Sequence, residues 1–134
     1  MQIALLLTPA SDHHLALAAQ VGVEEIVCPY PGLVLDDLLQ TRKRVEAHGM
    51  RLGVIERYVP TLDFIHATER RDIQIREFQT LIRNMGEAGV PVLCYSWMPN
   101  DDWHRTRLDV PDRGGALVTE FDMRNPASAR NATG

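Results

Sequence analysis

One type of join between two segments occurs three times in the sequence. It reads AAQVGVEEIV, VEAHGMRLGVI and GEAGVPVLCY, and each time a helical pattern ends, a glycine follows and an apolar strand begins. Glycine at this point accepts the left-handed backbone conformation that closes many helices. Strands that are joined in this way by helices predict parallel βα units with right-handed crossovers.

The apolar periodicity predicts four strands and three helices in alternation before the pattern ends at Tyr95. The predicted strands are 2–7, 25–29, 50–56 and 90–95, and the predicted helices are 12–20, 33–48 and 70–88. Ser11 is the expected N-cap of the first helix, and 61–68 is a predicted loop. The first strand is a continuous apolar run, which is typical of a strand buried on both faces. In the longest helix, the predicted buried stripe consists of Ile73, Ile75, Phe78, Ile82 and Met85.

The pattern changes after the fourth strand. Residues 108–115 are predicted as a loop, 116–121 alternates like a small strand, and the polar tail 123–134 is predicted to lack regular structure. No helix follows the fourth strand, so we expect a chain cut within a larger fold. Four strands and three helices fit a small open doubly wound sheet or the first half of a (β/α)8 barrel, and periodicity does not choose between them.

The composition is that of one globular domain, with 134 residues, 45% hydrophobic and 24% charged. The net charge of −4 gives no electrostatic footprint for nucleic acid or an anionic membrane, so neither is an expected partner. The apolar start lacks a basic region and is too short for a signal or a span, so we expect a cytoplasmic protein. Cys28 and Cys94 show no metal-ligand spacing and are predicted to be buried, reduced thiols.

Candidate functional residues follow the strands, because parallel α/β folds gather the carboxyl ends of their strands at one edge. The loops concerned are 8–11, 29–31, 56–58 and the segment after Tyr95. Glu56 closes a buried strand, where a carboxylate is costly unless it is paired or used. It could bind a substrate hydroxyl or act as a base, or it could form an ion pair with an arginine such as Arg57.

The stretch SWMPNDDWHRT after Tyr95 combines aromatic and charged side chains. Trp103 is expected to hold this loop down, and Arg105 beside it is a candidate clamp for a small carboxylate. The alternatives are an exposed loop arginine and, for His104, a solvent-exposed histidine. No HxH, HxxxH or Cys/His cluster appears, so the sequence predicts no metal site of its own.

Three longer motifs keep their order between residues 54 and 122. They are VIERYVP, RRDIQIREFQTLIRNMGEAGVPVLCYSWMP and DWHRTRLDVPDRGGALVTEFD. With these motifs the chain resembles the N-terminal half of the D-mannonate dehydratases, whose fold is a xylose-isomerase-like (β/α)8 barrel. Residues 1–50 agree only in pattern. The resemblance implies an α/β fold of parallel βα units: the first half of a (β/α)8 TIM barrel, with a partial barrel domain over 1–122.

The resemblance also implies an activity, namely removal of water from D-mannonate to give 2-keto-3-deoxy-D-gluconate by a metal-dependent hydro-lyase. The family's divalent metal, of the manganese or iron class, is held by ligands from later strands, which this chain does not contain. The resemblance therefore assigns no catalytic residue and no metal ligand to this chain. The expected contacts to the sugar acid, a small molecule, are Trp103, Arg105, Glu56 and His104. Where the family has Asn, Phe and Thr, this chain has Ser96, Trp97 and His104.

Two further expectations follow. The chain should be inactive alone, and it should form homo-oligomers or self-associate, because half a barrel leaves two sheet edges and apolar helix faces uncovered. Two alternatives stay open: a fragment of a sugar isomerase or epimerase of the same barrel class, and a small non-enzymatic α/β module that binds a ligand.

Overall fold

The computed structural model describes residues 2–97 and 105–125. The chain divides into two compact units, Met1–Pro99 and Asn100–Gly134. The predicted domain over 1–122 and the tail over 123–134 stay predictions, and residues 126–134 of that tail lie outside the described residues. Among the helices of the described residues, none combines the length and apolar character needed to cross a membrane.

The first unit alternates strands and helices. Its elements are β1 (Ala4–Leu6), α1 (Asp12–Gln20), β2 (Glu25–Cys28), α2 (Leu35–Ala47), β3 (Arg51–Ile55), α3 (Leu62–Ile65), α4 (Arg71–Glu87) and β4 (Val92–Leu93). The strands form one parallel sheet in the order β1-β2-β3-β4. The predicted parallel βα units are therefore confirmed. The short helix α3 lies in the predicted loop, and four residues are too few to show a helical period.

The three repeated joins close α1, α2 and α4 in the same way. Gly22, Gly49 and Gly89 all have positive φ, at 79°, 78° and 67°. After α1, the Gly22 N–H donates to the Ala19 carbonyl and the Val23 N–H donates to the Ala18 carbonyl. The same pair of bonds follows α2 and α4, which makes each join a Schellman motif. The predicted glycine caps are thus confirmed, and each one turns the chain directly into the next strand.

The core lies between the two inner strands and the helices. Ile26 and Cys28 of β2, with Leu52 and Ile55 of β3, are buried. They form one cluster with helical side chains that include Leu15, Leu38, Val45, Leu81 and Met85. The prediction that the first strand is buried on both faces is wrong, because β1 is an edge strand whose residues are mostly exposed.

The predicted buried stripe of α4 is also wrong in part. Ile73, Ile75 and Ile82 are exposed by 41%, 38% and 49%. Met85 is buried as predicted, and Gln74, Leu81 and Ala88 are buried in addition. Gln74 is tolerated in this position because its amide is satisfied: its Oε1 accepts from the Phe64 N–H at 3.1 Å, and its Nε2 donates to Asp63 at 3.3 Å. The buried face of α4 therefore includes a hydrogen-bonded glutamine, and the three isoleucines lie outside it.

The second unit contains an antiparallel hairpin. Strand β5 (Arg107–Pro111) pairs with β6 (Leu117–Glu120), and a 3-10 turn at Arg113–Gly115 joins them. The strand predicted at 116–121 is confirmed by β6. The loop predicted at 108–115 is wrong in its first half, because residues 108–111 belong to β5. Aspartate and proline are rare in strands, so the composition did not reveal a strand that is set by pairing with β6.

Candidate functional site

Four loops begin at the same edge of the parallel sheet in the first unit. They are 8–11, 29–31, 56–58 and 94–97, and we call them the strand-end loops. Backbone hydrogen bonds extend the ladder to their starts: the Leu7 N–H donates to Val27, the Glu56 N–H to Cys28, and the Cys94 N–H to Ile55. These bonds fix the points at which the loops leave the sheet.

The first of these loops is held by side chains of two helices. Ser11 caps α1 by accepting a hydrogen bond from the His14 N–H at 3.3 Å, as predicted. The His14 ring donates from Nδ1 to the Pro9 carbonyl at 2.9 Å. Arg44 of α2 donates to the Ala10 carbonyl at 2.7 Å and pairs with Asp12 at 3.3 Å. The loop is thereby fixed from both sides.

Glu56 lies directly after β3 and is half-buried. Within the part of the chain that the structure describes, its carboxylate makes no ion pair and no hydrogen bond. The expected alternative, an ion pair with Arg57, is not formed. A carboxylate at a strand end that is partly removed from water and has no protein partner retains its capacity to accept hydrogen bonds or a proton from a ligand.

Arg57 and Tyr58 both have positive φ, at 67° and 56°. For residues other than glycine such a backbone costs on the order of 1–3 kcal/mol each, and it persists only where the surroundings impose it. Part of that constraint is visible, because the Arg57 carbonyl accepts a hydrogen bond from the Tyr30 N–H at 3.1 Å. The second and third strand-end loops are therefore tied together at Arg57. The sequence contains no signal for this turn, since neither position is a glycine or an asparagine.

An aromatic cluster surrounds the fourth strand-end loop. The ring of Trp97 lies 5.4 Å from that of Phe64, and the ring of Tyr95 lies 6.4 Å from that of Phe78. Phe64 and Phe78 meet edge to face at 5.6 Å. Because Tyr95 and Trp97 are still 59% and 64% exposed, the cluster attaches this loop to α3 and α4 without burying it.

A small cleft lies behind the second strand-end loop. It is lined by Tyr30, Leu33, Val59, Pro60, Glu77, Phe78 and Leu81. Burial, followed by the nearby charge of Glu77, raises the pKa of Tyr30 above its ordinary value, so its hydroxyl stays protonated. The empty volume is about 210 Å³ with its open mouth included. Part of this volume is open solvent, so we do not assign a ligand to the cleft.

The predicted substrate contacts are distributed over both units. Glu56 is in the first unit, and Arg105 is in the second, where its Nε donates to the Thr119 hydroxyl at 2.9 Å. Trp103 and His104 lie outside the described residues. The expectation that these four residues surround one ligand stays a prediction.

The two cysteines differ from each other. Cys28 is buried as predicted, and desolvation raises the pKa of its thiol to about 11, against a smaller opposing effect of Arg44. Cys94 is exposed, so the prediction of a second buried thiol is wrong. It follows the last residue of the edge strand β4, where the sheet no longer covers it. Among residues 2–97 and 105–125, no three His, Cys, Asp or Glu side chains are grouped to hold a metal ion.

Comparison with known proteins gives consistent results. The model of the family described as D-mannonate dehydratase (UxuA) matches residues 11–132. Mannonate dehydratase of Streptococcus equi subsp. zooepidemicus is 37% identical over 87 residues, which are 65% of this chain and 24% of that protein. Mannonate dehydratase of Thermotoga petrophila is 36% identical over 90 residues, or 67% of this chain and 25% of the relative.

A solved structure agrees with these sequence matches. The crystal structure of mannonate dehydratase from Streptococcus suis serotype 2 superposes with a TM-score of 0.80 at 31% identity, and it covers 93% of this chain and 38% of that one. The chain spans about a quarter of the length of the curated relatives it matches. The family model covers most of the chain, and four parallel strands alternate with helices as in part of a TIM barrel. The chain belongs to the D-mannonate dehydratase family.

Proposed function

We propose that this chain forms part of a D-mannonate dehydratase, a hydro-lyase that converts D-mannonate into 2-keto-3-deoxy-D-gluconate and water. The family match over residues 11–132 is the observation that carries the proposal. In this reaction a base takes the proton from the carbon beside the carboxylate, the electron pair of that C–H bond forms the C=C bond, and the hydroxyl of the next carbon takes up a proton from an acid and leaves as water. The resulting enol then becomes the ketone.

The contribution of this chain is one wall of the site, formed by the strand-end loops. Glu56 is the residue best suited to act there, because its carboxylate is half-buried and has no partner among the described residues. It accepts a hydrogen bond from a hydroxyl of the sugar acid, or it takes up a proton during the reaction. Arg105 binds the substrate carboxylate, and its bond to Thr119 holds the guanidinium on the hairpin. Trp103 and His104 complete the proposed contacts.

A divalent metal of the manganese or iron class is part of the proposal for the whole enzyme. When bound, such a metal polarises the carboxylate and hydroxyl oxygens of the substrate. The described residues of this chain do not fit it, because they contain no suitable group of three ligands. The proposed roles of Glu56 and Arg105 are therefore contacts to the substrate, and neither residue is proposed as a metal ligand.

Titration of the isotope-labelled 134-residue chain with D-mannonate tests the proposal by NMR. We expect saturable shifts at the strand-end loops, centred on Glu56, and a weaker affinity in Glu56→Gln. Glu87→Gln is the matched control, because this glutamate ends α4 and strand β4 lies between it and the fourth strand-end loop. We expect no keto acid from the chain alone. Keto acid formed by pure chain, or the absence of any saturable shift, would contradict the proposal.

Neutral sugars separate the proposal from the isomerase or epimerase alternative. A dehydratase site selects the carboxylate of a sugar acid, whereas an isomerase site binds an uncharged aldose or ketose. We expect D-mannonate to shift the strand-end loops at concentrations at which D-xylose and D-fructose do not. Preference for a neutral sugar would favour the isomerase alternative.

Self-association is the second part of the proposal. In the first unit β1 and β4 are the edges of the sheet, and Ile3, Leu5 and Val92 beside them are exposed by 52%, 37% and 47%. The β4 edge of one copy can pair in parallel with the β1 edge of another. We expect a dimer or larger species in sedimentation at micromolar concentration, and a monodisperse monomer would contradict this.

A further inference from the structure

We infer that Arg57 is a further specificity-determining residue, which binds the carboxylate of the sugar acid from the end of β3 in addition to the contact proposed for Arg105. This inference rests on the proposed function and concerns the same strand-end loops. An ion pair between Arg57 and Glu56 was one expectation from the sequence. Because this pair is not formed, the guanidinium of Arg57 can bind a ligand instead.

The distribution of charge points to this residue. Among the four strand-end loops, Arg57 is the only arginine or lysine. Arg44, which contacts the first of these loops from α2, is already engaged, since it donates to the Ala10 carbonyl and pairs with Asp12. A sugar acid that is held against these loops therefore meets one arginine that belongs to them, Arg57, which follows Glu56 in the sequence.

The side chain of Arg57 is available for such a ligand. The residue is exposed, and across the described ranges 2–97 and 105–125 its guanidinium has neither an ion pair nor a hydrogen bond. A guanidinium presents two parallel N–H groups to a carboxylate, which gives both affinity and orientation. Its neighbour Glu56 supplies an acceptor for hydroxyls, so the adjacent pair matches the two polar groups of a hydroxy acid.

The backbone gives independent support. The left-handed conformation of Arg57 and Tyr58, at φ 67° and 56°, is one that glycine or asparagine would adopt at lower cost. The Tyr30 N–H holds the turn by its bond to the Arg57 carbonyl. Unfavourable backbone conformations that are imposed in this way concentrate at functional sites. An arginine at this position is explained if its side chain has a task that glycine cannot perform.

Three variants of the 134-residue chain test the inference in the NMR titration with D-mannonate. Arg57→Gln should weaken affinity by about ten- to hundredfold, as expected for loss of hydrogen bonds to a charged group. Arg57→Lys should fall between Arg57→Gln and the original chain, because it keeps the charge and loses the planar fork. Arg83→Gln, on the exposed face of α4, is the control and should bind as the original chain does.

Arg57→Gly separates recognition from a purely structural role. Glycine relieves the unfavourable backbone, so the midpoint of urea unfolding should rise or stay the same, while the affinity for D-mannonate falls as in Arg57→Gln. An unchanged affinity in Arg57→Gln and Arg57→Gly, in a chain that does bind D-mannonate, would overturn the inference and leave the proposed function standing. Failure of the original chain to bind D-mannonate would overturn both.

Discussion

The four-stranded sheet and the hairpin are both held by hydrogen bonds between backbone N–H and C=O groups, but they differ in how much apolar surface they bury. In the sheet unit, Ile26 and Ile55 of the inner strands are completely buried under the helices. In the hairpin no described residue is buried, and Leu108 and Leu117 are 70% and 66% exposed. A two-stranded ribbon alone is marginally stable in water. The hydrogen-bond ladder therefore sets the position of the strands in both units, whereas apolar burial provides stabilisation only in the first.

The largest expected effect is a loss of unfolding free energy when one apolar side chain is truncated in each unit and the two losses are compared. Ile55→Ala removes a side chain with no exposed surface and should reduce the free energy of unfolding by about 2–5 kcal/mol. Leu117→Ala in β6 should change it by no more than about 0.5 kcal/mol. Urea titration followed by circular dichroism and by the amide signals of each unit measures both. An equal loss from the two variants would show that the hairpin side chains are buried in solution.

A second pair of variants compares two glycines within the sheet unit. A methyl group added at Gly53 of β3 would overlap the carboxylate end of Glu25, whose side chain is 14% exposed and lies 3.4 Å from Arg51. Because that carboxylate can move, Gly53→Ala should cost about 1–2 kcal/mol, at the lower end for overpacking.

Gly86 of α4 is the matched control for this substitution. A methyl group at Gly86 meets no atom within 4 Å, and its backbone is helical. Gly86→Ala should therefore stabilise the chain by about 0.5–1 kcal/mol. Relative to the original chain, we expect the urea midpoint to fall in Gly53→Ala and to rise in Gly86→Ala. Stabilisation by Gly53→Ala would mean that Glu25 does not occupy the space beside β3.

The smallest expected effect is the pH-dependent stabilisation of the second unit by the ion pair between Asp122 and Arg124. The hydrogen bonds from Arg124 hold the pKa of Asp122 below its ordinary value of 3.8. A lowered pKa means that the ionised carboxylate stabilises the unit above pH 3.8 and that this contribution is lost as the pH falls through the lower value. Arg124→Gln should raise the pKa of Asp122 in an NMR titration, and added salt should have a similar, weaker effect. An unchanged pKa would show that the pair does not form in solution.

The repeated joins made the first unit predictable from its sequence. Each glycine cap is a local feature, determined by the left-handed backbone at Gly22, Gly49 or Gly89, so no knowledge of tertiary structure was needed. The inward face of α4 was not predictable in this way. It depends on Gln74 finding partners at Phe64 and Asp63, which come together only through the fold. The exposure of β1 likewise depends on its place in the sheet.

The candidate site was predictable only in part. Glu56 was found because a carboxylate after an apolar run marks a strand end, which is a property of the sequence alone. The turn at Arg57 was not found, because neither Arg57 nor Tyr58 is a residue type that favours it and the hydrogen bond from Tyr30 that helps to hold it comes from another loop. That Glu56 and Arg105 contact one ligand stays a prediction, because local patterns place each residue on its own element and do not place the two together.

The difference in exposure between the two cysteines makes it possible to measure local unfolding of the sheet by chemical modification. With a pKa of about 11, Cys28 carries its reactive thiolate in about one molecule in a thousand at pH 8, and the helices also shield it. Cys94 is open to solvent in the folded chain. A thiol reagent should therefore modify Cys94 at once and Cys28 only when β2 is released from its neighbours. The rate of the second modification then reports how often the centre of the sheet comes apart.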